Sequence, residues 1–469
     1  MTRTAVIEKL QSSFDDGSFL ATLARRVAIK TESQIAASRP HLATYLEGEM
    51  APALAAMGYE VRVLPNPEPD GGPFLVARRI EDPALPTVLT YGHGDVVRGL
   101  EPEWRKGLDP WTLTREGERI YGRGVADNKG QHSINIAALS AVIAVRGRLG
   151  FNSIVLLEMS EEIGSPGIHA FCEQQRALLK ADILVSSDGP RLSAGRPTLF
   201  MGSRGAMNLD FSLTLREGGH HSGNWGGLLA NPGVILARAL GTIVDEHGKV
   251  LCRDILPDRI PNSVRAALAD VEVDGGEDGP AIDPDWGEPG LTPAERVFAW
   301  NTFEILAYRT GNPDNPVNAI PPRATAHCQI RYTVDKHPRT FIPALQKHLQ
   351  KHGFKGIEVR EARGRTSWGA TRMLPDEPWV QWAAKSLQAT TGQKPALLPN
   401  LGGSLPNDAF ADVLGMPTVW VPHSYASCSQ HAPNEHGLAP VMREGLAIMG
   451  GLFWDMGERP EPFLKARAV

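Results

Sequence analysis

Apolar and polar positions divide this chain into two regimes. In the first, short apolar runs bounded by Gly, Pro, Asp or Ser recur at 73–77, 86–91, 153–157 and 181–186, with a further strand at 60–64. Continuous β-branched and aliphatic runs of this length predict strands buried on both faces. Helical spacing falls between them. Leu42, Leu46, Met50 and Leu54 recur every fourth position before Gly58, with Pro52 placed to kink that helix, and further helices are expected at 131–145 and 168–179. Strands alternating with helices imply βαβ units and a mainly parallel sheet. Near Leu199 the pattern changes. Residues 206–215 and 324–334 alternate almost strictly, which predicts strands buried on one face of an antiparallel sheet. Helices follow at 232–246, capped by Asn231, and at 341–352, stopped by Gly353, while 256–293 is rich in Pro, Asp and Gly and reads as irregular. The first regime resumes after Asp376 with a helix at 377–391, a strand at 417–421 and a helix at 440–456. The expected fold is therefore α/β. One domain, residues 1–198 and 369–469, has a mainly parallel sheet flanked by helices, and an α+β domain with an antiparallel sheet, 199–368, is inserted into it.

Composition changes this picture little but excludes some functions. The 469 residues exceed a single core, and 42% apolar with 22% charged residues is a globular composition. A net charge of -5 gives no reason to expect nucleic acid or an anionic membrane as partner. The N-terminus lacks the apolar core of a signal peptide, and no apolar run approaches the ~18 residues of a membrane helix. The four cysteines, Cys172, Cys252, Cys328 and Cys428, lie far apart without a CxxC pair. They read as reduced thiols of a cytoplasmic protein.

Candidate chemistry collects at the ends of the expected strands. Glu161 and Glu162 follow the run at 153–157; alone, such a pair is usually two solvated loop acids. His93 and Asp95 follow the run at 86–91 and share a side of extended chain, so Asp95 could orient the imidazole toward a metal; a turn with a capping Asp is the equal alternative. Asp127 sits among glycines (Tyr121-Gly-Arg-Gly-Val-Ala-Asp127-Asn-Lys-Gly130) before a helix, as a ligand or an N-cap. Asp188 follows the run at 181–186, and His431 follows the late strand. In the inserted domain, His220-His221 lies on a glycine-rich loop. Arg331 occupies the polar face of its strand, where a solvated Arg is the commoner case. The loop Gly402-Gly403-Ser404 precedes an expected helix, whose backbone N–H groups could meet a carboxylate. Mixed His and carboxylate donors without thiolate suit zinc, cobalt or manganese in a hydrolytic site. Two cations need one bridging acid, and one His and one acid each. His93 with Asp188, Glu162 with His431, and Asp127 between them meet that count, which leaves Glu161 as a base.

Together these stretches resemble the di-zinc peptidase superfamily of carnosinase, cytosolic nonspecific dipeptidase, glutamate carboxypeptidase, acetylornithine deacetylase and succinyl-diaminopimelate desuccinylase. The residues that carry the resemblance are Gly92-His93-Gly-Asp95-Val-Val97, the glycine-flanked Asp127, Glu161-Glu162-Ile-Gly-Ser165, Ser187-Asp188-Gly189 and His431-Ala-Pro-Asn-Glu435. The resemblance implies two divalent metals, zinc first, on His93, Asp127, Glu162, Asp188 and His431. Asp95 would orient His93, and Glu161 would be the catalytic base. His221 would polarise the scissile carbonyl from a lid domain, reaching across a homodimer. Asn318, Arg331, Gly403 and Ser404 would hold the substrate carboxylate. Arg98, Asn128, Leu401 and the segment 422–428 depart from the family pattern, the last two beside the substrate pocket. The implied function is hydrolysis of dipeptides or short peptides with a free C-terminal carboxylate. Deacylation of N-acyl amino acids is the runner-up, and a non-catalytic metal-binding relative is the reading from another class.

Overall fold

The computed structural model describes residues 2–273, 279–362 and 368–467. Expectations that cross 274–278 or 363–367, namely the irregular stretch at 256–293 and the inserted domain, and the one ending at 469, lie partly outside the described residues. Twelve strands position the site: β1 (Glu60–Leu64), β2 (Phe74–Arg79), β3 (Thr87–His93), β4 (Asn152–Glu158), β5 (Ile183–Ser186), β6 (Thr198–Phe200), β7 (Gly205–Thr214), β8 (Thr302–Thr310), β9 (Arg323–Tyr332), β10 (Glu358–Glu361), β11 (Ala396–Leu398) and β12 (Thr418–Trp420). Eight of them form one sheet in the order β1-β2-β4-β3-β5-β12-β6-β11. Its middle, β4-β3-β5-β12, is wholly parallel, and β1 and β2 add antiparallel to one side. The continuous runs are explained by burial on both faces: Ile154, Val155, Leu156 and Leu157 are at most 1% exposed. The helix Lys129–Arg146 packs on β3, and Ala439–Met456 packs against that helix.

The second sheet, β8-β9-β7-β10, is antiparallel throughout. Strand β9 alternates as expected, burying Ala324, Ala326, Cys328, Ile330 and Tyr332. Strand β7 is buried along almost its whole length, because Asn208 and Ala206 on its other face turn into a cavity. The change of regime comes later than Leu199: β6 still pairs with β11 and β12 in the large sheet, and the short strand Gly202–Ser203 pairs with Thr371–Arg372. The antiparallel sheet begins at Gly205.

Other expectations shift in detail. The helix at 39–56 continues through Pro52 with a wide turn at Tyr45–Met50, the adjustment expected where proline removes a donor. The helix at 168–179 ends at Gln174. The Pro/Asp/Gly-rich stretch contains the helix Asn262–Leu268. Asn231 caps the helix Pro232–Ile243, its Oδ1 accepting the Gly233 and Val234 N–H groups. The four cysteines are free and buried. Among the described residues no helix is long and apolar enough to cross a membrane.

Candidate active site

The carboxyl ends of the adjacent parallel strands β4, β3 and β5 meet at one edge, where ligands of open α/β sheets collect. His93 ends β3, Asp188 lies two residues beyond β5, and Glu161 and Glu162 open a short 3-10 turn after β4. Asp127 precedes the helix Lys129–Arg146 across a cis Asp127–Asn128 peptide. His431 comes in on the loop after β12. That loop holds Ser429, His431 and Asn434 at left-handed φ angles of 57°, 60° and 63°. Non-glycine residues persist there only where the surroundings force them, as at ligand sites.

Asp127 stands between the two histidines. Its Oδ1 is 2.9 Å from His93 Nε2, and its Oδ2 is 3.1 Å from His431 Nε2. His431 Nε2 is also 3.0 Å from Glu162 Oε2, and His93 Nε2 is 3.7 Å from Asp188 Oδ2. Two groups of donor atoms result, His93–Asp127–Asp188 and Asp127–Glu162–His431, each with its atoms within 4.8 Å of one another. Asp127 belongs to both. Asp188 Oδ2 is buried and has no hydrogen-bond partner, a costly arrangement that a cation would relieve. Glu161 Oε2 lies 3.9 Å from His93 Nε2 and belongs to neither group.

The electrostatics fit the same picture. Burial, reinforced by the charge of Asp127, pushes both Glu162 and Asp188 up to about 7. Burial likewise drives Glu161 well above the carboxylate range, with Glu162, Asp127 and Asp188 adding repulsion against the attraction of His93. For Asp127 burial acts upward too, but hydrogen bonds to His431 and His93 outweigh it and hold the carboxyl below its usual range. Four carboxylates in so small a volume call for positive charge. The oxygen and imidazole donors, two clusters and one shared acid fit a pair of divalent cations.

Some residues do other work than their sequence position suggests. Asp95 does not chiefly face the imidazole: His93 Nδ1 is 3.1 Å from its backbone oxygen and 3.5 Å from Oδ1. Its carboxylate accepts the N–H groups of Glu161 and Glu162, at 3.1 Å each. It therefore fixes both members of the Glu pair as well as the histidine. Arg331 and Ser404 meet, Arg331 Nη1 donating to Ser404 Oγ at 2.8 Å. Both line, with Gly403, the cavity of about 590 Å³ that contains Asp127, Glu161, Glu162, Asp188 and His431. The helix expected after the Gly402–Ser404 loop opens at Asn407 and continues through the wide turn Ala409–Val413, with Asp408 Oδ1 accepting the Ala409 N–H. His221 and Asn318 are not in that cavity. They lie together on an exposed rim, His221 pairing with Ala319 and the Asn318 carbonyl accepting the Ser222 N–H.

Sequence reasoning passed over several lining or supporting groups. Gln430 donates to Asp127 Oδ2. Gln329 accepts from Arg331 Nε at 2.8 Å and donates to Asn208. Arg204 donates twice to the Gly402 carbonyl. Glu435 accepts from Arg123 and from the N–H groups of Gly124, Ala126 and Asp127, so it carries the Asp127 loop. The strand alternation held a signal for one of these, since Gln329 shares a face with Arg331.

Residues 89–455 match the model of the peptidase family M20/M25/M40. The chain belongs to that family. It is accordingly a hydrolase of the metallopeptidase class. A β-Ala-His dipeptidase of Mus musculus is 33% identical over 469 residues, covering 92% of each chain. A cysteinylglycine-S-conjugate dipeptidase of Corynebacterium striatum is 28% identical over 345 residues, 68% of this chain and 70% of that one. Among solved structures, the dipeptidase Dug1p of Saccharomyces cerevisiae superposes with a TM-score of 0.80 at 22% identity, covering 98% of this chain and 99% of that one, which establishes the shared fold.

Proposed function

We propose that this M20/M25/M40 peptidase hydrolyses dipeptides or short peptides that bear a free C-terminal carboxylate. The observation that carries the reading is one cavity holding two donor groups that share Asp127, a leftover acid at Glu161, and the Arg331–Ser404 pair beyond them. His93 and Asp188 would hold one divalent cation, Glu162 and His431 the other, and Asp127 both, with zinc first and cobalt or manganese as alternatives. When bound, the cations polarise the scissile carbonyl and acidify water. Glu161, whose burial raises its affinity for a proton, takes the proton from the attacking water and passes it to the leaving amine. Asp95 holds Glu161 in place through its backbone N–H. Arg331 and Ser404 anchor the substrate carboxylate, and the Gln329 contact keeps the guanidinium from swinging away.

The relatives named for β-Ala-His and for cysteinylglycine conjugates support a dipeptide over an N-acyl amino acid, although the carboxylate anchor would serve both. The deciding experiment measures amino-acid release from dipeptides and from N-acetyl amino acids, before and after chelation and after adding back zinc, cobalt or manganese. Metal-restored release from dipeptides is expected. Release from N-acetyl amino acids alone would favour the deacylase, and no release from either would leave a non-catalytic relative. We further read the protein as a cytoplasmic homodimer joined through the inserted domain. Support comes from the four free buried thiols and from the edge strand β8, whose Ile305, Leu306 and Tyr308 are solvent-exposed. The exposed rim bearing His221 and Asn318 suits a role in the partner's site.

A further inference from the structure

The cavity extends past the Arg331–Ser404 anchor, and its wall there is apolar, formed by Val273, Val297, Phe298, Leu401 and Leu405. Close approaches fix these side chains against the anchor. A Cβ built on Gly402 would stand 3.2 Å from Val297 Cγ1 and 3.7 Å from Phe298 Cε1, and one on Gly403 would stand 3.8 Å from Leu401 Cδ2. A group leaving the Gly402 backbone would thus meet Val297 and Phe298, and one leaving the Gly403 backbone would meet Leu401. Leu401 also reaches toward the metal-ligand loop, where a Cβ on Gly189 would meet its Cδ1 at 2.9 Å. The charged groups lining the cavity are already committed. Asp127, Glu161, Glu162, Asp188 and His431 form the metal centre, Arg331 forms the anchor, and the charge of Arg191 is paired with Glu444 at 2.5 Å, its Nε donating to the Pro422 carbonyl while its buried Nη2 has no hydrogen-bond partner. Among the described lining residues, no charge is left over to pair with a charged substrate side chain.

We propose that this wall receives the side chain of the substrate's C-terminal residue, and that the enzyme selects substrates in which this residue is apolar, such as leucine, methionine or phenylalanine. The inference rests on the function proposed above. The carboxylate that Arg331 and Ser404 hold is bonded to the Cα from which that side chain leaves, so the side chain must start within a few bonds of the Gly402–Ser404 backbone. A lysine, aspartate or protonated histidine placed there loses water and finds no partner. An aliphatic or aromatic side chain gains by leaving water.

The test measures kcat/KM for metal-loaded protein on two parallel series, Gly-X and N-acetyl-X, with X as Leu, Met, Phe, Lys, Asp or His. In whichever series is cleaved, the apolar members are expected to exceed the charged ones by about tenfold or more, the discrimination typical of a hydrophobic pocket. Equal rates across X would overturn this inference and leave the proposed function standing. No cleavage in either series would overturn both. Val297→Asp, checked for fold and metal content, is expected to narrow the Leu-to-Lys ratio by about tenfold. Val297→Thr keeps the shape and adds only a hydroxyl, so it serves if the aspartate disturbs folding. A Leu-to-Lys ratio unchanged in the folded variants would count against the wall.

Discussion

At the scale of single residues, the site turns on the division of labour between Glu161 and Glu162. They are neighbours in sequence, but the 3-10 turn sends Glu162 to His431 and leaves Glu161 near His93 without a place in either donor group. Glu161→Gln is therefore expected to bind metal as the wild type does while kcat falls about 10²- to 10⁴-fold, the usual contribution of a general base. Metal content by elemental analysis and turnover on the same sample check it; wild-type turnover would remove Glu161 from the mechanism. Arg331→Ala should raise KM more than it lowers kcat. It removes a charge-assisted hydrogen bond worth roughly 1.5–3 kcal/mol, or about 10- to 150-fold in kcat/KM. A loss confined to kcat would contradict an anchoring role.

At the scale of elements, loops bring the other candidate ligands to His93 at the end of β3, and two buried acids hold those loops. Asp95 ties the Glu161 turn to the end of β3. Glu435 ties the loop before the helix Lys129–Arg146 to the one that carries His431, and it neutralises Arg123, both side chains being 1% exposed. Glu435→Ala leaves Arg123 buried without its counter-charge. It is expected to destabilise the metal-free protein by about 3–5 kcal/mol, read from urea unfolding under chelation. A change below 1 kcal/mol would show that the pair contributes little.

At the scale of the whole molecule, charge and assembly set the testable behaviour. In the metal-free protein Glu162 and Asp188 titrate near 7, above the unfolded carboxylate range, so the folded chain holds their protons at pH 6. Cations bind only the deprotonated groups. Metal uptake should therefore release more protons at pH 6 than at pH 8, measurable by calorimetry in buffers of different ionisation enthalpy. Equal release would place these groups outside the metal site. For assembly, the exposed apolar edge of β8 is a template for another strand. If the proposed homodimer forms through β8, Ile305→Lys with Leu306→Lys is expected to halve the sedimenting mass, and an unchanged mass would count against a dimer through this strand.

Much of this was legible in the linear chain because it depends on local physics. Continuous apolar runs reported strands buried on both faces, alternation reported β9, and each acid or histidine at the end of a run had to lie at the carboxyl edge of the sheet. The helix cap at Asn231 and the strand ends at His93 and Asp188 are of this kind. Other features depend on which distant segments meet. The continuation of the large sheet through β6 depends on its pairing with β11 and β12, almost two hundred residues on or more. Asp95 accepts from residues 66 and 67 positions away, and Glu435 from residues more than 300 away. No period within either segment encodes such contacts. The apolar surroundings of the anchor also come from folding, since Val297, Leu401 and Arg331 become neighbours only there. Sequence determined which residue types stood at which strand ends, because burial and periodicity are short-range. Tertiary structure alone decided which of them share an ion-sized space and which charges are left unpaired, because distance in space is not written in spacing along the chain.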